Sequence, residues 1–334
     1  MSYTPFDRVE SYLRRFVIYP SEHALTAHVL WIAHTHLMDC WESTPRLAFM
    51  SPEPESGKTR ALEVTSLFVP NARLSFSMSA AALVRIIAKG HETGAIPTIL
   101  YDEIDNLFSK SEEGISDLRG ALNSGYRRNA VSTRCVNKGE GIADFACFAP
   151  LALAGLKMLP DALATRAIFI HMRPRAADEH KESFRLKHHP AQAKPIMDHL
   201  AEWCAKINGD LIVHEPKMPA SITDRSADIW EPLIAIADVA GDDWPKSDFV
   251  DVWKRYLGTS PLSATSATSA TNLVNKDNLV AEVAEVAFGR AEEFDDLEVA
   301  FEERAAICSM RAGFLAKMPR VQVPEFLRTR RMAS

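Results

Sequence analysis

The stretch FMSPEPESGKTRALEV, residues 49–64, decides the fold. It closes an apolar segment, passes through a short loop and continues as a helix-forming segment from Lys58. A strand, a loop and a helix in this order can surround an anion with the N–H groups of the loop and the positive end of the helix dipole. The usual phosphate-binding pattern is glycine, four residues of any kind, then Gly-Lys-Ser/Thr. Gly57, Lys58 and Thr59 fit this pattern, whereas Pro52 stands where the first glycine belongs.

Each residue of this loop has a predicted task. Lys58 would reach the outer phosphates, and the Thr59 hydroxyl would hold Mg²⁺. Pro52 is tolerable at the loop entrance, where it costs one N–H donor. The predicted nucleotide-binding residues are Ser56, Gly57, Lys58, Thr59 and Arg60.

An acidic pair supplies the second half of the site. The buried-type strand PTILYD, residues 97–102, ends in Asp102 and is followed by Glu103. Asp102 would sit beside Mg²⁺, and Glu103 would orient and deprotonate the attacking water. The alternative is a chance Gly-Lys-Thr with an unrelated acidic turn, which the strand context on both sides disfavours. The predicted cofactors are therefore ATP and Mg²⁺.

Composition excludes several other classes. The chain has 334 residues, 47% of them hydrophobic, and a net charge of −6, so nucleic-acid binding would need a local basic patch. Its five cysteines form no Cys-x-x-Cys pair, which disfavours a zinc site or a disulfide framework. The polar start MSYTPFDRVE is no signal peptide, and no apolar run is long enough to cross a bilayer. We expect a cytoplasmic protein without a membrane partner.

Strands alternate with helices, which predicts an α/β fold with a largely parallel sheet. We expect helices over residues 5–18 and 21–41, and a helix that Ser79 caps and Gly90 ends. A further helix is expected near residues 115–125, and a β-hairpin over 126–148 that turns at 138–141. The predicted strands are Arg46–Met50, Ala72–Met78, Pro97–Asp102, Pro150–Gly155 and Ala167–Met172.

The domain organisation follows from changes in composition. After residue 174 the sequence becomes charged and helical, and SATSATSATN, residues 263–272, is a low-complexity linker. The predicted parts are N-terminal helices (1–42), a phosphate-binding core (43–175) with the inserted hairpin, a helical lid (176–259), a linker (260–272) and a helical C-terminal extension (273–334).

Three features together resemble the AAA+ P-loop ATPases: the Asp-Glu pair, the inserted hairpin, and PDALATRAIFIHM, residues 160–172. The hairpin is similar to that of the clade with a hairpin before sensor 1, which includes the MCM helicases. The stretch TDRSADIWEPLIAIADVAGDDWP, residues 223–245, resembles an uncharacterised family of phage and prophage replication ATPases, often fused to primase-polymerase modules. The resemblance covers about residues 40–258 and implies an AAA+ core with an α-helical lid.

The resemblance implies two catalytic arginines. Arg166 matches the arginine finger, which acts in trans and so implies a homo-oligomeric ring, for example a hexamer. Arg225 matches sensor 2, which contacts phosphate from the lid. The alternatives are an ordinary surface arginine at 166 and an arginine at 225 that pairs with a neighbouring aspartate. Sensor 1 departs from the usual asparagine, and Lys157 is the substitute.

The hairpin is basic. Arg127, Arg128, Arg134 and Lys138 precede the first acid, Glu140. In a ring such side chains would track a single- or double-stranded DNA backbone in the pore. The alternatives are a solvated loop, or arginines that serve the subunit interface.

The leading interpretation is therefore a ring-forming ATP hydrolase that acts on DNA, as a helicase-like translocase, in phage or mobile-element replication. The first alternative is an ATP-dependent helicase loader or protein-remodelling switch, which would bind a replication protein through helices in residues 273–334. The second is a nucleotide-binding assembly protein with little catalysis, suggested by Pro52 and the unusual sensor 1.

Overall fold

A computed structural model of the chain describes residues 4–105, 120–136, 141–216, 218, 224–241 and 244. These residues all belong to the first of two compact units, Met1–Ala267. The predicted linker and C-terminal extension lie outside the described residues, as do Lys138 and residues 115–119 of the helix expected near residues 115–125, whereas residues 120–124 are helical as expected.

The chain begins with two capped helices, α1 (Pro5–Phe16) and α2 (Glu22–Thr35). Ser21 caps α2 by accepting a hydrogen bond from the Ala24 N–H at 3.2 Å. The prediction of one helix over residues 21–41 was wrong at its end. The hydrogen bonds tighten to an i→i+3 pattern at residues 36 and 37, and a separate 3₁₀ turn follows at Met38–Cys40.

A five-stranded parallel sheet forms the centre, and its strands correspond to the five predicted segments. The strands are β1 (Arg46–Met50), β2 (Arg73–Ser75), β3 (Ile99–Tyr101), β6 (Leu151–Gly155) and β7 (Ala167–His171). In space their order is β2-β3-β6-β1-β7, so β6 lies between β1 and β3. Every residue of β1 is buried, as expected for a parallel strand with both faces covered.

The remaining two strands, β4 (Val131–Val136) and β5 (Gly141–Ala146), form a separate antiparallel pair. They match the predicted hairpin, although its turn lies outside the described residues. The helix Ala80–Thr93, α4, packs against β5, so one face of the hairpin is turned towards the body of the protein.

Helices cover both faces of the sheet. They are α3 (Lys58–Thr65), α4 (Ala80–Thr93), α5 (Asp161–Ala164), α6 (His189–Val213) and α7 (Asp224–Ala240). Alternation along β1 places Leu47 and Phe49 in one apolar core and Ala48 and Met50 in the other. The first core contains side chains from α1, α2, α3, α6 and α7, so the N-terminal helices and the lid helices share one core with the helix that follows the loop.

Gly90 does not end α4, contrary to prediction. The helix continues to Thr93, and Gly94, with φ of 68°, forms the left-handed C-cap. A Cβ atom at position 90 would lie 2.5 Å from Pro97 Cδ. Glycine is needed there because the following loop folds back against the helix.

No helix in the described part of the chain is long and apolar enough to cross a membrane.

Candidate active site

The loop between β1 and α3 has the conformation of an anion cradle. Glu55 and Gly57 both have positive φ, 56° and 82°, which turns the chain sharply before the helix. Because Gly57 has no side chain, α3 begins without a side-chain cap at its first N–H groups. Such a helix start attracts an anion through its N–H groups and its dipole. Glu53 and Glu55 are exposed, as expected for carboxylates beside a phosphate site.

The Lys58 amine lies inside this loop. Its Nζ donates to the Ser56 hydroxyl at 2.7 Å, to the Glu53 carbonyl at 2.9 Å and to the Ser51 carbonyl at 3.4 Å. The Ser51 N–H donates to the Gly155 carbonyl at 3.2 Å, which ties the start of the loop to β6. The loop is thus wrapped around the amine and fastened to the sheet.

The acidic residues of the site follow β3, which is separated from β1 by the strand β6. The Asp102 carboxyl is only 4% exposed and accepts the Glu103 N–H at 2.8 Å. Glu103 is exposed, and its φ of 53° turns the chain immediately after the strand. Partial burial lowers the pKa of the Lys58 amine, while the Asp102 and Asp105 carboxylates act in the opposite direction. Lys58 and Asp102 therefore lie within electrostatic range of each other at the carboxyl ends of the parallel strands, where ligands bind in such sheets.

Asp105 is a residue to which sequence reasoning assigned no role. Its carboxylate accepts the backbone N–H groups of Leu156 and Lys157, the second at 2.8 Å. It therefore fastens the turn after β6, the predicted sensor 1 segment, to the turn after β3. The available signal was the second aspartate in YDEID, three positions after Asp102. The Lys157 side chain itself is exposed.

Thr59 and Arg60 differ in their surroundings. Thr59 is exposed in the first turn of α3, beside the cradle. The Arg60 guanidinium pairs with Glu63 at 2.6 Å and lies 4.9 Å from the centre of the Phe184 ring. The arginine side chain is thus engaged by partners other than the loop.

Arg166 lies at the opposite end of the sheet from the cradle of its own chain. It directly precedes β7, and its carbonyl accepts the N–H of Arg46, the first residue of β1, at 2.9 Å. The five residues of β1 separate it from the loop by roughly 13 Å. Its guanidinium lies 4.6 Å from the centre of the Tyr126 ring and donates to the Ala162 carbonyl.

The predicted sensor 2 residue, Arg225, lies in the first turn of α7, but its side chain is outside the described residues. Asp228, one turn further along this helix, is described. Its carboxylate pairs with the Arg127 guanidinium at 3.5 Å.

The hairpin arginines are not a uniform basic surface. Arg128 donates to the carbonyls of Trp41 at 2.7 Å and Met38 at 2.5 Å, so it anchors the hairpin base to the 3₁₀ turn. Arg134 is half-buried and donates to Ser132 Oγ at 3.1 Å along its own strand. Arg127 forms the ion pair with Asp228 and is exposed to solvent.

The other face of the hairpin is exposed and has a different character. Pairing places alternate residues of β4 opposite alternate residues of β5 on this face. Its exposed members carry no positive charge among the described residues: Val131, Thr133, Cys135, Ile142 and Asp144.

Three comparisons relate the chain to known proteins. A family described as "Protein of unknown function (DUF3631)" matches residues 171–248, the region that contains α6 and α7. An uncharacterised 28.9 kDa protein in the xis 5′ region of Saccharopolyspora erythraea is 42% identical over 74 residues. That match covers 22% of this chain and 27% of the relative.

Among solved structures, JCV helicase is similar with a TM-score of 0.30 and 12% identity, over 78% of this chain and 62% of that one. The inhibitor-bound form of JCV helicase gives a TM-score of 0.28 over the same shares.

Proposed function

We propose that the protein is a Mg-ATP hydrolase of the AAA+ type. The observation that carries the proposal is the grouping of Lys58, Asp102 and Asp105 at the carboxyl ends of β1 and β3, with β6 between them. An amine in a backbone cradle binds phosphate. A buried carboxylate beside it binds the metal ion that phosphoryl transfer also requires.

The donor set fits the cofactors. A threonine hydroxyl and a carboxylate supply the oxygen ligands that Mg²⁺ prefers, so Thr59 and Asp102 would hold it. Bound there, Mg²⁺ would neutralise charge that develops on the transferred phosphate. Lys58 and the first N–H groups of α3 would bind the phosphate oxygens. Glu103, exposed next to Asp102, would accept the proton of the attacking water.

The position of Arg166 supports action between subunits. The cradle of its own chain lies at the far end of β1, so a finger at position 166 would serve a neighbouring copy. A homo-oligomeric ring is the assembly in which every cradle receives such an arginine. We propose Arg225 as a second phosphate contact, from the lid helix α7.

The leading target is DNA, during replication of a phage or mobile element. Arg127, exposed at the hairpin base, and the predicted contact Lys138 support this target. Arg128 and Arg134 support it less, because the first holds two backbone carbonyls and the second lies on the half-buried face.

A protein-remodelling switch is the second candidate. It is favoured by the exposed hairpin face, whose described members carry no positive charge and include the 76% exposed Ile142. Such a face suits a protein partner better than a phosphate backbone.

The hydrolase proposal is tested by phosphate release with Mg-ATP. Wild type should release phosphate, and Glu103→Gln should release it at least about a hundred-fold more slowly while still binding ATP. Glu53→Gln, which changes an exposed loop carboxylate, is the matched control and should behave like wild type. No release by wild type would refute the proposal and favour a nucleotide-binding assembly protein. Equal rates in Glu103→Gln and wild type would refute the role assigned to Glu103.

The target is tested by adding single-stranded DNA. A DNA motor should hydrolyse ATP faster with DNA, and Lys138→Ala should lose most of that rise, whereas Lys194→Ala on α6 should keep it.

A chain without residues 273–334 separates the candidates further. A motor keeps the DNA response, and a loader loses its protein partner. The mass in solution, with and without ATP and a short single strand, reports ring formation.

A further inference from the structure

The Tyr126 ring is buried, and two guanidiniums lie near it. The side chain is 7% exposed, with Arg166 4.6 Å and Arg127 5.5 Å from its ring centre. Its backbone is also fixed, because the Tyr126 carbonyl accepts the Thr44 N–H at 2.7 Å just before β1. The ring therefore sits at a rigid point where the hairpin base meets the amino ends of β1 and β7.

The ring is a main constraint on Arg166. One guanidinium nitrogen donates to the Ala162 carbonyl, while Nε is buried without a hydrogen-bond partner among the described residues. The nearby Arg46 guanidinium is also buried, and two like charges repel. The attraction between a guanidinium and an aromatic face opposes this repulsion and favours an orientation of Arg166 against the ring.

The ring is also connected to the lid. Arg127, which also lies against the ring, pairs with Asp228 of α7. The Ser43 hydroxyl donates to the Asp228 carbonyl, so the same point of α7 is held to the segment before β1. The path from α7 to Arg166 runs through Arg127 and the Tyr126 ring.

We propose that Tyr126 is the positioning residue of Arg166: its ring holds the guanidinium in the orientation in which it reaches the nucleotide of a neighbouring subunit. Through Arg127 and Asp228 the same ring links that orientation to the lid helix. This inference rests on the proposed function, because Arg166 has this task only in an ATP hydrolase with a shared site.

Complementation between two inactive variants of the full chain tests it. Lys58→Ala subunits lack a working cradle but keep Arg166, and Arg166→Ala subunits lack the finger but keep the cradle. A 1:1 mixture should regain phosphate release, because the first variant donates its arginine to the second. Tyr126→Leu is then added either to the arginine donor or to the cradle donor.

The expected result is asymmetric. Tyr126→Leu in the arginine donor should lower the restored rate about ten-fold, whereas in the cradle donor it should change the rate less than about two-fold. Tyr126→Phe, which keeps the ring, should match the parent mixture in both positions. A variant that merely failed to fold would lose activity in both positions.

Each other outcome contradicts a defined part. Equal losses in both positions, or no loss in either, overturn the positioning role. A parent mixture without restored activity, beside an active wild type, refutes the shared arginine and the role of Tyr126 with it, while ATP hydrolysis stands. An inactive wild type refutes the proposed function itself.

Discussion

The two ends of the central sheet have opposite electrostatic character. At the carboxyl end, the Lys58 amine interacts with the carboxylates of Asp102 and Asp105. At the amino end, the guanidiniums of Arg46 and Arg166 lie near each other, and neither forms an ion pair with a described carboxylate. Arg46 instead donates to the carbonyls of Ala149 and Leu122, at 2.6 and 3.1 Å.

The difference fits the proposed function, in which one chain contributes to two sites. The carboxyl end holds a cation near acids, as a phosphate and metal site requires. At the amino end, carbonyl dipoles and an aromatic face balance the positive charge among the described residues, so an anion from outside the chain would stabilise it. In the proposed ring, the nucleotide of a second copy of the chain would supply such an anion.

The largest effect is expected when the Arg166 side chain, at the amino end of the sheet, is removed. Arg166→Ala should lower kcat for ATP hydrolysis by about 10³-fold or more, the usual value of an arginine finger. ATP affinity, measured by titration at a protein concentration that favours single subunits, should change less than about two-fold, because the cradle lies at the other end of β1. Arg85→Ala, an exposed arginine on α4, is the control. A large loss of affinity in Arg166→Ala would mean that both ends serve one nucleotide.

The second prediction concerns two buried histidines. Burial and, to a smaller extent, nearby Arg46 lower the pKa of His34 to about 3. Burial lowers the pKa of His28 to about 3. Unfolded histidine has a pKa near 6.5, so below that pH the unfolded chain binds more protons and stability falls. From pH 7 to pH 5 the two should cost about 4 kcal/mol together, at ~1.4 kcal/mol per unit each.

His34→Leu isolates one of these contributions. Burial outweighs the interaction of His34 with the Trp31 backbone, and neither ring nitrogen makes a hydrogen bond of good geometry among the described residues, so leucine should cost little at pH 7. Chemical denaturation at pH 7 and pH 5 should show about 2 kcal/mol less acid destabilisation in the variant than in wild type. An unchanged pH dependence would mean that His34 titrates normally.

The third prediction tests the packing of the carboxyl end. A Cβ atom at Gly155 would lie 2.6 Å from Ile104 Cγ2 and 3.0 Å from an Asp105 carboxylate oxygen. Gly155→Ala should lower the free energy of unfolding by about 1–3 kcal/mol and should slow hydrolysis, because Asp105 is displaced. Gly209→Ala in α6, where a Cβ atom meets no atom within 4 Å, should be neutral or stabilising. Equal stabilities of the two variants would contradict the close approach.

The smallest effects are expected for substitutions of two adjacent arginines at the hairpin base, measured as changes in the free energy of unfolding. Arg128→Met should lower the free energy of unfolding by about 2 kcal/mol, because the carbonyls of Met38 and Trp41 lose their donor. Arg127→Ala should cost less than about 0.5 kcal/mol, because its ion pair with Asp228 is exposed. Thermal or chemical denaturation of both variants measures the difference. If Arg128→Met instead keeps its stability and loses DNA binding, the structural role assigned to Arg128 is wrong.

The predictions from sequence succeeded where the signal is local. The apolar runs of all five parallel strands and the caps at Ser21 and Ser79 depend on adjacent residues. The error at Gly90 has a different cause. A glycine near the end of a helix usually marks a C-cap, but here the returning loop at Pro97 requires it, and that contact is invisible in a local pattern.

The predicted site divides in the same way. The loop and its acidic partner could be found, because each is a continuous stretch with a known chemical task. The role of Asp105 could not, since its partners Leu156 and Lys157 are about fifty residues away along the chain. The same holds for Arg128, whose charge suggested DNA binding although its partners are two backbone carbonyls.

The sequence by itself determined the order of strands and helices, the loop that starts α3 and the acids that follow β3, because these depend on neighbours in the chain. Only the tertiary structure decided which cations face acids and which face carbonyls and rings. Every arginine carries the same charge in the sequence, but its function depends on its neighbours in space. The strand order, which puts β6 between β1 and β3 and puts Arg166 beside Tyr126, sets those neighbours.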